Sequence, residues 1–395
     1  MMREDFSFRI GKYHLNDEPN FNFQLNRTIM WSGGDVDELR RVGPKIKDSS
    51  SWETELVSLA EKALSEGRIV HAIAYFRMAE FFMFDGNPRK LEIYQKARTL
   101  FYNHYADIFE NGLITRKTVP YENVQLPIWI SLSEKQPVKD VILLHGGNDS
   151  YMEEFLPIIL YLRHKGFAVY LFEGPGQGEV LREQGIPFTH EWEKPVGKIL
   201  DEFNLKDVTI IGISLGGMLA PRAAAYENRI KRVVAWSILP NLLDLIISTR
   251  KKSLQKIVRL LLDLKAKSLI NFAIKRQMEK DPLAKWGIKH GMHNMGVDSA
   301  YEYLAKANRF QITNIAHLID QDFLLMGASR DHFIPLEFYK TEIDHLTNVQ
   351  SMTFRLFTEK ENAGNHCNAG NTKLAVDTIM EWIEFVKSHS VTIRN

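Results

Sequence analysis

The chain has a single cysteine, Cys367, in 395 residues. An intramolecular disulfide is excluded, and the composition fits a reducing compartment, with the cytoplasm as the expected location. Net charge is almost absent as well: 50 Lys and Arg stand against 49 Asp and Glu, a formal +1. That balance gives no whole-molecule field for a polyanion, and no zinc-finger or similar motif is present, so nucleic acid is not an expected partner. Long apolar runs are missing too. The longest, such as "LPNLLDLII", fall short of the ~20 residues a membrane span needs, so no stable insertion is expected. The N-terminal "MMREDFSFRIGKYHLNDEPNF" scatters charge among its apolar residues and does not read as a secretory leader. What remains is an ordinary soluble composition, 45% apolar and 25% charged, with length for one large domain and a smaller one.

Residues 1–112 read as a small helical domain. Leu56, Leu59, Ala60 and Leu64 recur at helical spacing, as do Ala72, Phe76, Ala79 and Met83. Ser50 and Glu53 form a candidate capping box for the first of these helices. A second helix is expected over "IVHAIAYFRMAEFFMF" and a third over "PRKLEIYQKARTLFYNHYADIF". Apolar faces left over on these helices make a homodimer an expectation to test.

From about residue 113 the pattern changes. Short runs rich in Val, Ile and Leu ("RKTVPY", "VQLPIWISL", "DVILLHGG", "FAVYLFEGPG", "VTIIGIS", "RVVAWSI", "DFLLMGASRD" and "MTFRLF") alternate with helical segments. This predicts an α/β fold, a doubly wound and mostly parallel sheet covered on both faces. Residues 240 to about 316 carry helix signals and no strand, and are read as a cap above the C-terminal edge of the sheet, where such folds bind ligands.

The stretch "IGISLGG" places Ser214 between an expected strand and an expected helix, the context that a Gly-x-Ser-x-Gly turn needs to present a nucleophile. The first backbone N–H of the following helix, that of Leu215, is free to receive an oxyanion. A second donor is expected from Gly147 or Asn148 in "LHGGNDS", where the absence of Cβ permits close approach. A serine nucleophile needs a base and the base an orienting acid. His366, in the loop "TEKENAGNHCNAGN" before the last helix, and Asp331, just after "FLLMGASR", supply them at the right edge. His190, His290, His293 and His317 lie outside the edge loops or within the cap, and His332 adjoins the acid. Asp320 and Asp322 begin a strand rather than end one.

These features together resemble the α/β-hydrolase superfamily over residues 113–390. "FEGPGQGE" at 172–179, "LHGGNDS" at 144–150, "NHCNAGN" at 365–371 and the N-terminal helices resemble a branch holding 2,6-dihydroxypseudooxynicotine hydrolase and fermentation-respiration switch esterases. Similar catalytic domains occur in acylaminoacyl and prolyl-oligopeptidase-like peptidases, which carry a β-propeller in place of these helices. The resemblance implies a serine hydrolase acting on an ester, amide or activated ketone of a small molecule or short peptide, with no metal and no organic cofactor. Carbon–carbon cleavage of an aryl ketone, or a non-catalytic binder on the same scaffold, are the alternatives. Candidate substrate contacts are Glu173 and Glu179 at the pocket rim and Trp286, Met292 and Tyr303 in the cap. The basic, amphipathic "RKKSLQKIVRLLLDLKAK" is expected to be a solvated helix face, and Cys367 a small residue packed under its loop.

Overall fold

The computed structural model describes residues 7–393, with side chains to residue 389; the first six residues of the stretch read above as lacking a leader fall outside it. Six helices come first: α1 (Pro19–Ser32), α2 (Val36–Val42), α3 (Ser49–Ser65), α4 (Ile69–Ala79), α5 (Pro88–His104) and α6 (Ala106–Glu110). Most of their buried side chains form one core, around Phe21, Trp52, Leu56, Phe76 and Phe82, which Trp286 of the later insertion joins; Ile73, Phe101 and Ile108 pack instead in a core against the sheet. The capping box of α3 sits two residues earlier than expected. Asp48 is the cap, taking the Ser51 N–H while Ser51 Oγ takes that of Asp48; aspartate and serine are comparable caps, and the helix starts at Ser49, ahead of the expected cap. Helix α4 stops at Ala79 rather than running through "EFFMF": Phe82 turns inward to meet Phe21, Trp52 and Trp286. Helices α1 and α2 were not foreseen individually. Their signals are Pro19 in the first turn of α1 and Gly33 at its end, held at φ 84°, a conformation that favours glycine.

The eight expected strands all form: β1 (Thr115–Tyr121), β2 (Val124–Ser131), β3 (Val141–His145), β4 (Ala168–Phe172), β5 (Val208–Ile213), β6 (Ile230–Trp236), β7 (Asp322–Ala328) and β8 (Ser351–Phe357). They make one sheet in the order β1-β2-β4-β3-β5-β6-β7-β8, antiparallel at β1–β2 and β2–β4 and parallel elsewhere. Side chains alternate between two cores, as a strand's period of two requires. Val208 and Ile210, Val233 and Ala235, Phe323 and Leu325 enter one core; Ile211 and Ile213, Val234 and Trp236, Leu324 and Met326 enter the other. Helices α7 (Leu156–Lys165), α8 (Gly178–Arg182), α9 (Glu193–Glu202) and α10 (Gly216–Ala224) connect the strands up to β6. Ile199 of α9 and Leu219 of α10 cover the first face, Ile159 of α7 the second.

Between β6 and β7 the chain leaves the sheet for five helices, α11 (Leu242–Ile247), α12 (Lys252–Asp263), α13 (Lys267–Lys280), α14 (Pro282–Met295) and α15 (Ala300–Ala307). After β7 come α16 (Leu336–His345) and, beyond β8, α17 (Thr372–Ile393), whose Val376 and Ile383 complete the second face. No helix among the described residues is long and apolar enough to cross a membrane. The strand order reverses at β3, with β4 on one side and β5 on the other. Crevices form at the C-terminal ends of strands around such a reversal, and the candidate residues gather there.

Candidate active site

Ser214 follows the last residue of β5 and precedes α10. Its φ is +61°, a left-handed conformation that costs a non-glycine residue energy and is stored at functional turns. Gly212 makes the turn possible: a Cβ there would lie 1.9 Å from the Gly216 carbonyl oxygen and 2.8 Å from the Ala220 side chain, so any other residue would push α10 off the strand end.

Ser214 Oγ lies 2.8 Å from His366 Nε2, and His366 Nδ1 lies 2.7 Å from Asp331 Oδ2. Asp331 Oδ1 accepts the N–H groups of Phe333 and Ile334 at 2.8 and 2.9 Å; burial raises the carboxyl pKa, but His366 beside it, aided by these two N–H groups, brings it below the ordinary value. Because the carboxylate only accepts, His366 Nδ1 carries the proton and Nε2 is left to accept from the serine hydroxyl. Burial opposes charging of His366, but the Asp331 carboxylate overcomes it, aided by the Cys367 side chain, and the imidazole pKa stands above its ordinary value. Phe23 and Phe333 meet the ring edge-on at 5.8 and 5.1 Å.

The loop carrying His366 is braced by its own polar residues. Asn368 accepts from Trp236 Nε1 at 2.8 Å and donates to the Ala363 carbonyl, while the Cys367 N–H donates to Ser237 Oγ. Cys367 itself is buried.

Across from Ser214 runs the turn after β3. Gly147 has no room for a side chain: a Cβ would stand 2.6 Å from the Leu215 nitrogen and 2.5 Å from the Ile213 carbonyl oxygen. Its N–H, however, is taken by Ser150 Oγ at 3.1 Å, so of the two expected second donors Gly147 is not the one. Among the described residues the backbone N–H groups of Asn148 and Leu215 have no protein acceptor, and both residues line the cavity above Ser214.

The turn is held from behind. Gln177 Nε2 donates to the carbonyls of Gly146 and Gly147 at 2.7 and 3.3 Å, fixing the peptides that carry the Gly147 and Asn148 N–H groups. His145 donates from Nδ1 to the Gly146 carbonyl and accepts from Trp192 Nε1; burial holds its pKa down to about 4, so it stays neutral. From the N-terminal helices, Arg27 and Arg77 each donate to the Asp149 carbonyl, at 2.8 and 2.6 Å, and both bind the buried Glu154 carboxylate.

The cavity measures about 330 Å³. Leu239, Leu242, Leu245 and Ile246 form one apolar wall, and Phe23 and Phe81 another. Helix α14 presents Trp286, His290 and Asn294, spaced by four, and also Met295. Met292 is not in the wall; six residues after Trp286 it falls on the far side of the helix. Trp286 and Tyr303 do line the cavity. Glu173 and Glu179 do not. The Glu173 carboxyl accepts the N–H groups of Met152 and Glu179 inside the fold, where burial pushes its pKa up to about 8, and Glu179 pairs with Arg98 at 2.6 Å. The Gly-rich loop turns these carboxylates away from the cavity and sends Gln177 to the back of the Gly146–Gly147 turn.

Sequence reasoning also missed His290, set aside as a cap residue. It is buried between Asp85 and Asp149, bonded to both, and its pKa is raised by the two carboxylates against burial. Missed as well were Asn20, Gln24 and Arg27 of α1, which reach the cavity at helical spacing. The available signal was polar side chains at three- and four-residue intervals in a helix whose Phe21, Leu25 and Ile29 mark its buried face.

A sequence model described as the alpha/beta hydrolase fold matches residues 140–367. Among curated proteins, the hydrolase acrC of Aspergillus aculeatus is 24% identical over 92% of this chain and 96% of its own length. The alpha/beta hydrolase psoB of Aspergillus fumigatus is 30% identical over 56% of this chain; there the match spans only 59% of the relative. Among solved structures, 2,6-dihydroxy-pseudo-oxynicotine hydrolase superposes with a TM-score of 0.60 over 91% of this chain and 94% of its own at 19% identity. AbyA5 reaches 0.63 over 88% of each at 17%.

Proposed function

This chain belongs to the alpha/beta hydrolase family, and on that premise we propose that it is a serine hydrolase acting on the carbonyl of a small, largely apolar ester, amide or activated ketone. Ser214 Oγ attacks the carbonyl carbon as His366 Nε2 takes its proton, and Asp331 keeps the imidazole in the accepting tautomer and balances the imidazolium. The Leu215 and Asn148 N–H groups receive the oxyanion, each donor contributing about 3 kcal/mol in the transition state. His366 then returns the proton to the leaving group, and water repeats the sequence on the acyl-enzyme.

The observation that carries this reading is the unbroken chain of contacts from Ser214 to His366 to Asp331 at 2.8 and 2.7 Å. A retired scaffold has no need of the strained Ser214 beside two unpaired N–H groups, which weighs against a pure binder. The size and apolar walls of the cavity support a small molecule over a long peptide. Hydrolysis of a panel of acyl esters, amides and β-diketones tests the proposal: Ser214→Ala lowers turnover on the responsive substrate by up to about a millionfold. Products from a diketone separate carbon–carbon cleavage from ester chemistry. Retention of most activity by Ser214→Ala refutes the mechanism.

A further inference from the structure

The helices inserted between β6 and β7 carry a surface that the site chemistry does not use. Of the sixteen large apolar side chains exposed among the described residues, six lie between residues 254 and 272. Leu254, Ile257, Leu260 and Leu264 follow one another along α12 and its end, and Leu269 and Phe272 along α13, each 43–67% exposed. At 100° per residue the first four fall within a stripe roughly 120° wide. As expected, the face is solvated: α12 has no buried side chain. What the sequence did not show is that the exposed face includes an apolar sector beside the seam that packs.

That seam is formed by Val258, Leu261 and Leu262, which lean on Leu243, Ile247 and Leu304. At the same 100° per residue Lys256 borders the exposed stripe, whereas Lys252 and Arg259 stand on the far side of α12. Between residues 250 and 281 ten lysines and arginines stand against three carboxylates, on a chain whose net charge is only +1. Arg259 is paired with Asp244, whereas Lys251, Lys252, Lys256 and Lys265 are exposed and have no ion-pair partner among the described residues.

Scattered exposed leucines are ordinary, but a contiguous apolar stripe rimmed by charge of one sign marks a contact surface. We propose that α12 and α13 seat the protein on the surface of an anionic lipid bilayer. The helix lies in the interfacial plane, with its leucines in the acyl boundary and its lysines on the headgroups. A second copy is a poorer occupant, since a symmetric contact would set the same uncompensated lysines against themselves. The same small core joins this surface to the cavity: Ile246 and Tyr303 pack in it and also line the space above Ser214. An apolar substrate dissolved in the bilayer would therefore meet the side of the insertion that roofs the site.

The test uses the full chain and sedimentation with vesicles of phosphatidylcholine plus phosphatidylserine, against phosphatidylcholine alone. The expected result is binding to the anionic vesicles that weakens with salt. Joint Leu264→Glu and Phe272→Glu, or joint Lys252→Glu and Lys256→Glu, lower it by at least about tenfold. All four side chains are exposed, so circular dichroism should show unchanged folding. Failure of the wild type to sediment with anionic vesicles overturns the proposal, as does equal binding to neutral ones. So does a wild-type dimer, seen by light scattering, that Leu264→Glu dissociates in a protein that ignores vesicles. The labelling of Ser214 is independent of every one of these outcomes.

Discussion

Arg77 of α4 places its Nη2 atom 2.6 Å from the carbonyl oxygen of Asp149, in the turn that faces Ser214. A residue some seventy positions upstream of that turn thus holds it, together with Arg27 and through the shared Glu154 carboxylate. The N-terminal helices are part of the site's scaffold. Arg77→Lys keeps the charge but cannot span both the carbonyl and Glu154, because an ammonium lacks the planar fork. The expected effect is a fall in kcat of about ten- to a hundredfold at similar KM, as the Asn148 N–H shifts off the oxyanion. Measuring kcat and KM beside the thermal midpoint checks it: lost stability with unchanged kcat would make Arg77 a purely structural brace.

Gly147→Ala puts a methyl carbon against the Leu215 nitrogen, where only 2.6 Å is available. Activity should drop by about a hundred- to a thousandfold, comparable to the loss of an oxyanion donor, because the backbone on either side of Ser214 must shift to admit the methyl. Steady-state kinetics with a near-ultraviolet circular dichroism spectrum checks that the loss is local. A fully active alanine variant would remove this turn from the oxyanion account.

The raised pKa of His366 fixes the direction of the pH dependence. Only the neutral imidazole accepts the serine proton, so kcat/KM falls as pH drops through a value above the ordinary 6.5. In Asp331→Asn the main group that raises the pKa is gone and burial still lowers it, so the acid limb of the surviving activity should move to lower pH. A pH–rate profile of both proteins reads this; an unmoved limb would mean that another group controls it.

His290, clasped by Asp85 and Asp149, makes a prediction about stability instead. Its folded pKa is raised, so its contribution is fully present below the unfolded value near 6.5 and is lost as pH rises through the folded value. His290→Gln should therefore lower the urea midpoint more in acidic than in alkaline buffer. An equal loss in both would show that the imidazole acts by packing against Trp286, 4.8 Å away, and not by its charge.

Much of this was legible in the chain because the governing physics is local. Apolar runs such as "DVILL" and "VTIIGI", alternating with helical segments, indicated buried parallel strands, and the turn chemistry around Ser214 with the order of Ser214, Asp331 and His366 pointed those three to one edge. Asn148 and Gly147 could not be told apart, since the difference lies in Ser150 Oγ capturing one N–H. Glu173 and Glu179 were misread for a related reason: which side chain of a Gly-rich loop faces a cavity depends on how the loop folds back, and that is decided by backbone donors in the 150s segment. His290 and Arg77 were invisible because their partners are distant in sequence. The α12 stripe was visible as amphipathic, but its exposure depends on how much of its apolar sector the insertion can pack.

The central claim is that Ser214 is a nucleophile activated by His366. Intact-mass analysis after treatment with a fluorophosphonate, on wild type, Ser214→Ala and His366→Ala, tests it directly. The account predicts one adduct on wild type and none on either variant; a folded wild type that takes no adduct, or an adduct that survives Ser214→Ala, would contradict it.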